Sequence, residues 1–541
     1  MNKLSWARAS LAAIVTSGLL LACGGGGGSG SSSNPPTATA PAAVTNVAGT
    51  VTGFASVVVD GIEYAEASSG SGATTVAKEV DPSNPNTSTT VADLQLGQNV
   101  EFAVAAKTLG AGYIRPLVVG PVASAVITAL PAGATGGFVA LGQTIYVSAT
   151  TTYAGGYLAL ADVTAGIGTD VVEVHGTFNA DGSISATRVE KEGATAGYAV
   201  VGKVAATPAP ASGTFAINGL SVTYTTSGAT PTKLLPTSAS ISAGETVTVF
   251  APVADYTAAS TTLAATAIRV HGTQALAGQT IIEGGRAHNL APATGTLASF
   301  TLEEFTVDTT SSALKVFSAN NALSDIVDGT RVLVQGTVSS SGTLVASTIW
   351  VKNTAGALLV GPVKAIDTTA KTLTLRHSTV DLSKIAFTVV TPNASISVGG
   401  TNISVGSFVV VTGTPSSSGI TASSITLAVV PVDVTPGSFP SVDLPPGWVP
   451  GSSAGPGGAN ISAYGGTVST APGAAAAPAS FALTDRAGNV TTINVLAATS
   501  FAPASATLAS VVAGADVLVF GVPTASGAAG SVDATMVVVM P

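Results

Sequence analysis

Few residues in this 541-residue chain have the types and spacing to do chemistry. Gly451-Ser452-Ser453-Ala454-Gly455 has the frame of a nucleophile elbow. An elbow needs a strand before the serine and a helix after it to expose the hydroxyl. Here the flanks are PPGWVP and PGGAN, a linker composition, so no nucleophile is expected. The four histidines are His175, His271, His288 and His377. No two of them have metal-ligand spacing. His175 and His271 each precede a glycine at the end of a strand-like run, which places them on a rim or facing solvent. Glu303 and Glu304, in TLEEFTVD, read as neighbours on a strand. Strand neighbours point to opposite faces, so they cannot form a carboxylate pair without other partners. Asp81 to Asn86, DPSNPN, offers oxygen ligands but lacks the glycine and closing glutamate of a calcium loop, and reads as a turn. The single cysteine, Cys23, excludes an intramolecular disulfide and a thiolate zinc site. The expectation is therefore no catalytic residue, no metal, no cofactor and no enzymatic activity.

The elements that carry these residues read as strands. Charged residues are only 9% and aromatics 5%, and the apolar content is mostly Ala and Val among 62 glycines. Short β-branched runs punctuated by Gly, Ser and Asn are the pattern of strands and turns. A net charge of −9, with no clustered Lys and Arg, gives no footprint for nucleic acid.

The runs repeat. The phrase Gly-x-x-Val-x-(Val/Phe) occurs at Gly97, Gly244, Gly329, Gly406 and Gly514, and at Gly168 with one extra residue, read as a bulge. The spacing is about 75 residues once the Pro431–Asn460 insertion is set aside. Upstream travels Gly-x-Val, at Gly49, Gly120, Gly202, Gly361 and Gly466; in the fourth unit the nearest match is LAGQTIIEGG near Gly278. Downstream, an alanine opens an apolar strand at Ala186, Ala265, Ala346, Ala422 and Ala534. One unit reads as three strands, a connector, then a hairpin of two strands. That is the element order of a five-stranded OB-type barrel. An immunoglobulin-like sandwich needs about 100 residues and seven strands. An outer-membrane barrel needs aromatic girdles, for which the aromatics are too few.

The fold class expected is all-β: tandem small five-stranded OB-like barrels behind a signal peptide and a disordered tether. The segments are 1–22 signal peptide, 23–43 tether, units at 44–119, 120–196, 197–272, 273–355 and 356–430, a Pro/Gly-rich linker at 431–460, and a sixth unit at 461–541. Short joins imply packed units, and the linker implies that the last unit moves separately. Trp350 is expected in a core. Trp448, in PPGWVP, docks on a neighbouring barrel or is open to a partner.

At the N-terminus, Lys3 and Arg8 precede an apolar run from Ala9 to Leu21, too short to span a bilayer. Leu20-Leu21-Ala22-Cys23 resembles the bacterial lipobox, which implies cleavage before Cys23 and its lipidation. Gly24 at the next position favours the outer membrane over inner-membrane retention. The glycine–serine run that follows is a flexible tether. Lipobox, tether and units such as GTVTGFASVVVDGIEY (Gly49–Tyr64) together resemble the bacterial repeat family called domain of unknown function 5666. Units one, three, four and five fit it best, and units two and six more loosely. The family implies no catalytic or binding residues. The resulting expectation is a lipid-anchored envelope protein, facing the periplasm or the cell surface. Its role is a structural, scaffold or binding one, with an envelope protein or a glycan as partner. The alternative is a glycan-binding or surface-adhesion protein.

Overall fold

A computed structural model describes residues 44–427 and 462–539, apart from short interruptions of which 67–73, 79–87, 485–489 and 525–530 are the longest. Cys23, its lipobox Leu20, Leu21 and Ala22, the tether, Asp81–Asn86, His377, Trp448 and Gly451–Gly455 lie outside the described residues. The described chain is all-β, with one short α-helix, Leu160–Ala165, and a few 3₁₀ turns.

In the first unit the strands are Val44–Phe54, Val57–Val59, Ile62–Glu66, Asn99–Ala105 and Thr108–Ile114. The first pairs with the second and the fourth, the second with the third, and the fifth with both the third and the fourth. The third–fifth ladder is parallel, as is that of the short extra strand Thr75–Lys78 with the fifth. The same order recurs in Val118–Glu192, Thr280–Lys352, Ala357–Leu427 and Ser462–Val539. In Gly197–Val270 the first and second strands touch through one bond, Ala205 N–H to the Ala216 carbonyl at 2.8 Å. A short helical turn bridges the third and fourth strands at Val91–Asp93, Leu160–Ala165, Leu323–Asp325 and Leu508–Ser510. In the fifth unit a three-stranded meander, Phe387–Thr391, Ser395–Val398 and Thr401–Ser404, takes that place.

The two repeated phrases meet. The glycine of Gly-x-x-Val donates its N–H to the carbonyl of residue 51, 122, 204, 287, 363 or 468, at 2.8–2.9 Å in all six units. That same residue donates back to the carbonyl just after the glycine in five units. In the second unit the acceptor is Asp170, one position later than elsewhere, as the extra residue requires. The glycine holds φ between +78° and +88° in every copy. A left-handed backbone costs an L-residue with a Cβ roughly 1–2 kcal/mol. Each hydrogen bond contributes about 1 kcal/mol net. The bonding places the fourth copy of Gly-x-Val at Gly285-Arg286-Ala287 and not near Gly278. Alanine replaces valine there, which hid the motif.

A third glycine went unread. Gly176, Gly336, Gly413 and Gly521 sit at a register shift in the fourth strand, opposite Ala186, Ala346, Ala422 and Ala534. A Cβ at these positions would lie 2.1–2.6 Å from a carbonyl oxygen of the fifth strand. The bulge lets two backbones approach closely.

The expectation of separate closed barrels needs correction. Among the described residues, only Ser462–Val539 forms a sheet closed on itself without strands from elsewhere. Units one, four and five share an 18-stranded sheet, and a 10-stranded sheet runs through units two and three, so the sheets continue from unit to unit in the manner of a solenoid. Asn46–Ala48 pairs in parallel with Ile281–Glu283, Gly53–Phe54 with Leu358–Leu359, and Ala199–Val200 antiparallel with Val118–Val119. The cores follow the sheets: one cluster mixes Val47, Leu333 and Val409, another Phe138 and Phe215, while the last unit has its own around Val519. The physical reason is that first strands have open hydrogen-bonding capacity beyond their own unit, and neighbouring units fill it. The sixth unit also touches the rest: Trp350, buried and stacked on Phe317 at 6.0 Å, donates Nε1–H to Thr467 Oγ1 at 2.6 Å.

Candidate functional site

Two clusters of ionisable side chains form where units meet. The first lies at the junction of units one to four. Leu302 pairs with Phe305, so Glu303 and Glu304 are the two-residue turn between strands Thr296–Leu302 and Phe305–Asp308. This corrects their reading as strand neighbours. Glu303 has φ +48°, the left-handed value of tight hairpin turns, and both glutamates line one cavity. The turn was missed because its residues are not Asn-Gly. Asp60-Gly61, Leu141-Gly142 and Asn218-Gly219 occupy the same place in the first three units.

The cavity measures about 70 Å³, room for roughly five waters, and is also lined by Glu101, Arg115, His271 and Glu283. Glu101 pairs with Arg115 at 2.5 Å. His271 Nε2 lies 2.6 Å from Thr248 Oγ1. Burial, and then the neighbouring Glu304, push the Glu303 carboxyl up to about 8, against the opposing pull of the Phe178 backbone and Lys203.

The sign of the resulting pH dependence is fixed. The folded protein holds the Glu303 proton where the unfolded chain has lost it, so stability falls as pH rises from about 4.5 to about 8. Glu303→Gln is expected to flatten that slope and to raise the melting temperature at pH 9 relative to wild type. Thermal unfolding of both proteins across this range checks it; parallel curves would refute it.

The second cluster joins units one and two. His175 is fully buried, not at a rim or in solvent. It lies inside strand Val171–Phe178, because Gly176 is a bulge and does not end the strand. Asn99 N–H donates to His175 Nδ1 at 3.1 Å, which leaves Nε2–H to donate to Glu173 Oε1 at 2.8 Å. The Asn99 side chain clamps the Gly176 peptide with two bonds of 2.7 Å. Lys78 bridges Glu173 and Glu192. Burial opposes ionisation of Glu173, but the His175 bond and the Lys78 charge outweigh it and hold its carboxyl below the usual range. Burial and the nearby Glu173 carboxylate push Glu192 up. A third bridge, Arg331 to Asp60, ties unit four to unit one.

Among the described residues no group of three or more His, Cys, Asp and Glu is arranged to hold a metal ion. The groups that could have done chemistry are instead placed at the joins between units. His288, with Nδ1 3.0 Å from Asp328 Oδ1, lines an adjoining crevice with Asn179, Lys203, Asn218 and Asn289; it shares Phe178 and Glu303 with the cavity.

The locks and bulges recur from unit to unit, and two of those units resemble a known family. Residues 124–190 and 291–349 match the family model described as a domain of unknown function (DUF5666). The two DUF5666 segments run from the end of a first strand into a fifth strand, in units two and four. Unit two, expected among the looser copies, is thus one of the two that match. Its extra residue at Gly168 and its α-helix do not obscure the pattern. No curated protein matches the chain.

Proposed function

We propose that the protein is a non-enzymatic scaffold of the bacterial envelope, held on the outer membrane by lipid on Cys23. One observation carries it: Lys78 with Glu173, and Arg331 with Asp60, form ion pairs that bind units to one another. Such a body presents a fixed surface rather than a reaction centre. Its natural partner is another envelope component.

The experiment is labelling of growing cells with an alkyne fatty acid. Wild type is expected to carry the label and fractionate with membranes. Cys23→Ser is expected to lose the label and become soluble. An unlabelled wild type would sink the anchor. Protease shaving of intact against permeabilised cells then shows which side of the membrane the body faces.

A glycan-binding or adhesive role is the second reading. It is favoured by the amide-rich crevice, where His288 Nε2 is buried without a hydrogen-bond partner among the described residues. Binding of the purified protein to a glycan array would favour it over the first.

A further inference from the structure

Two buried polar atoms without hydrogen-bond partners line one crevice. It lies where units two, three and four meet, and holds about 60 Å³, room for roughly four waters. His288 is only 8% exposed, and its Nε2 is buried with no partner among the described residues. Glu303 Oε1 is the second such atom. A buried polar atom left unbonded is unfavourable, and a ligand group that bonds it removes that penalty.

The chemistry of the two atoms selects the group. His288 Nδ1 faces the Asp328 carboxylate at 3.0 Å and so carries the proton, which leaves Nε2 of the neutral ring to accept. Burial keeps a proton on Glu303 up to about pH 8, so its carboxyl both donates and accepts. A hydroxyl meets both demands, because it also donates and accepts. Charge selects against ions. The exposed Lys203 opposes a cation, while Glu303 and Asp328 oppose an anion. The half-buried Phe178 supplies an apolar wall. Another wall is fixed in advance, since the Asn218 amide donates to Gln143 Oε1 at 2.7 Å and to the Gly182 carbonyl at 2.9 Å.

We propose that this crevice binds one pyranose residue of a neutral glycan, with ring hydroxyls on His288 and Glu303 and the C–H face of the sugar on Phe178; this rests on the glycan-binding reading above and gives it a place and a ligand class. All three contacts come from different turns of units two and four, so the site exists only in the assembled body.

Saturation-transfer NMR of the purified full chain, in a detergent without a sugar headgroup, tests this. The probes are the methyl pyranosides of glucose, galactose and mannose, with glucuronate and glucosamine as charged counterparts. At least one neutral pyranoside is expected to bind saturably, and both charged sugars more weakly. His288→Phe keeps the bulk of the ring without Nε2 and is expected to raise the dissociation constant about tenfold, the loss of one good hydrogen bond. Asn289→Gly guards against a folding defect. Asn289 is exposed with φ +52°, which glycine adopts freely, and losing its amide from the crevice is expected to raise the constant about threefold. Val490→Ser, on the sixth unit, is expected to leave it unchanged. Undiminished binding in both His288→Phe and Asn289→Gly overturns the proposal, as does a preference for glucuronate or glucosamine over the neutral sugars. So does the failure of every neutral pyranoside. A glycan array that still binds would then leave the adhesive reading standing at another surface, and a blank array would remove both.

Discussion

Gly413→Ala is expected to open the fifth unit, at a cost of about 3 kcal/mol, the upper range for forced overpacking. The new Cβ would lie 2.1 Å from the Thr421 carbonyl oxygen and 3.0 Å from the Ala422 Cα, both of them backbone. Nothing there can rotate away, so strands Phe408–Ser416 and Gly419–Leu427 must part. Gly406→Ala is the control within the same unit. Its Cβ meets nothing within 4 Å, and only its φ of +88° is strained. That loss is about 1–2 kcal/mol. A loss confined to one of several units is read most directly at that unit. Hydrogen exchange of the amides in these two strands should accelerate far more in the first variant. Equal acceleration would mean that backbone spacing is not limiting.

Arg331→Met is expected to weaken the join of units one and four by about 3–5 kcal/mol, the cost of stranding a buried charge. Asp60 has a side chain only 4% exposed, and its Oδ2 already accepts the Thr50 N–H at 3.0 Å. Gly284 of unit four leaves it room, since a Cβ there would sit 2.0 Å from Oδ2. Lys352 faces the same carboxylate; burial and the Arg331 charge hold its ammonium down to about 8, so in the variant it offsets part of the loss. Faster exchange is expected along the ladder of Asn46–Ala48 with Ile281–Glu283. Adding Asp60→Asn removes the stranded charge and should recover most of the loss. A double variant no better than the single one would show that packing, not charge, holds the join.

What could be read from sequence was what each unit imposes on itself. Gly329 and Gly406 recur because a positive φ and a two-bond lock demand glycine, and such a constraint leaves a visible phrase. Where the constraint tolerates variation the phrase fades: Ala287 supplies the same backbone groups as Val51 and so concealed its unit's start. Gly413 was overlooked because a glycine inside an apolar strand looks like dilution until its partner strand is in view. The joins were beyond reach. Arg331 and Asp60, or Lys78 and Glu192, lie far apart in the chain, and nothing local marks them as partners. His175 was misplaced for the same reason, since the Asn99 that encloses it belongs to another unit.

The shared sheets also bear on how the chain folds. Asn46–Ala48 finds a neighbouring strand at Ile281–Glu283, and Gly53–Phe54 at Leu358–Leu359. Those partners are synthesised about 235 and 305 residues later, roughly 12 to 60 seconds at ordinary rates of about 5–20 residues per second. Loop closure on that scale slows folding and leaves sheet edges waiting. The first unit to emerge is therefore among the last to be completed, and in the interval its first strand keeps an unpaired edge.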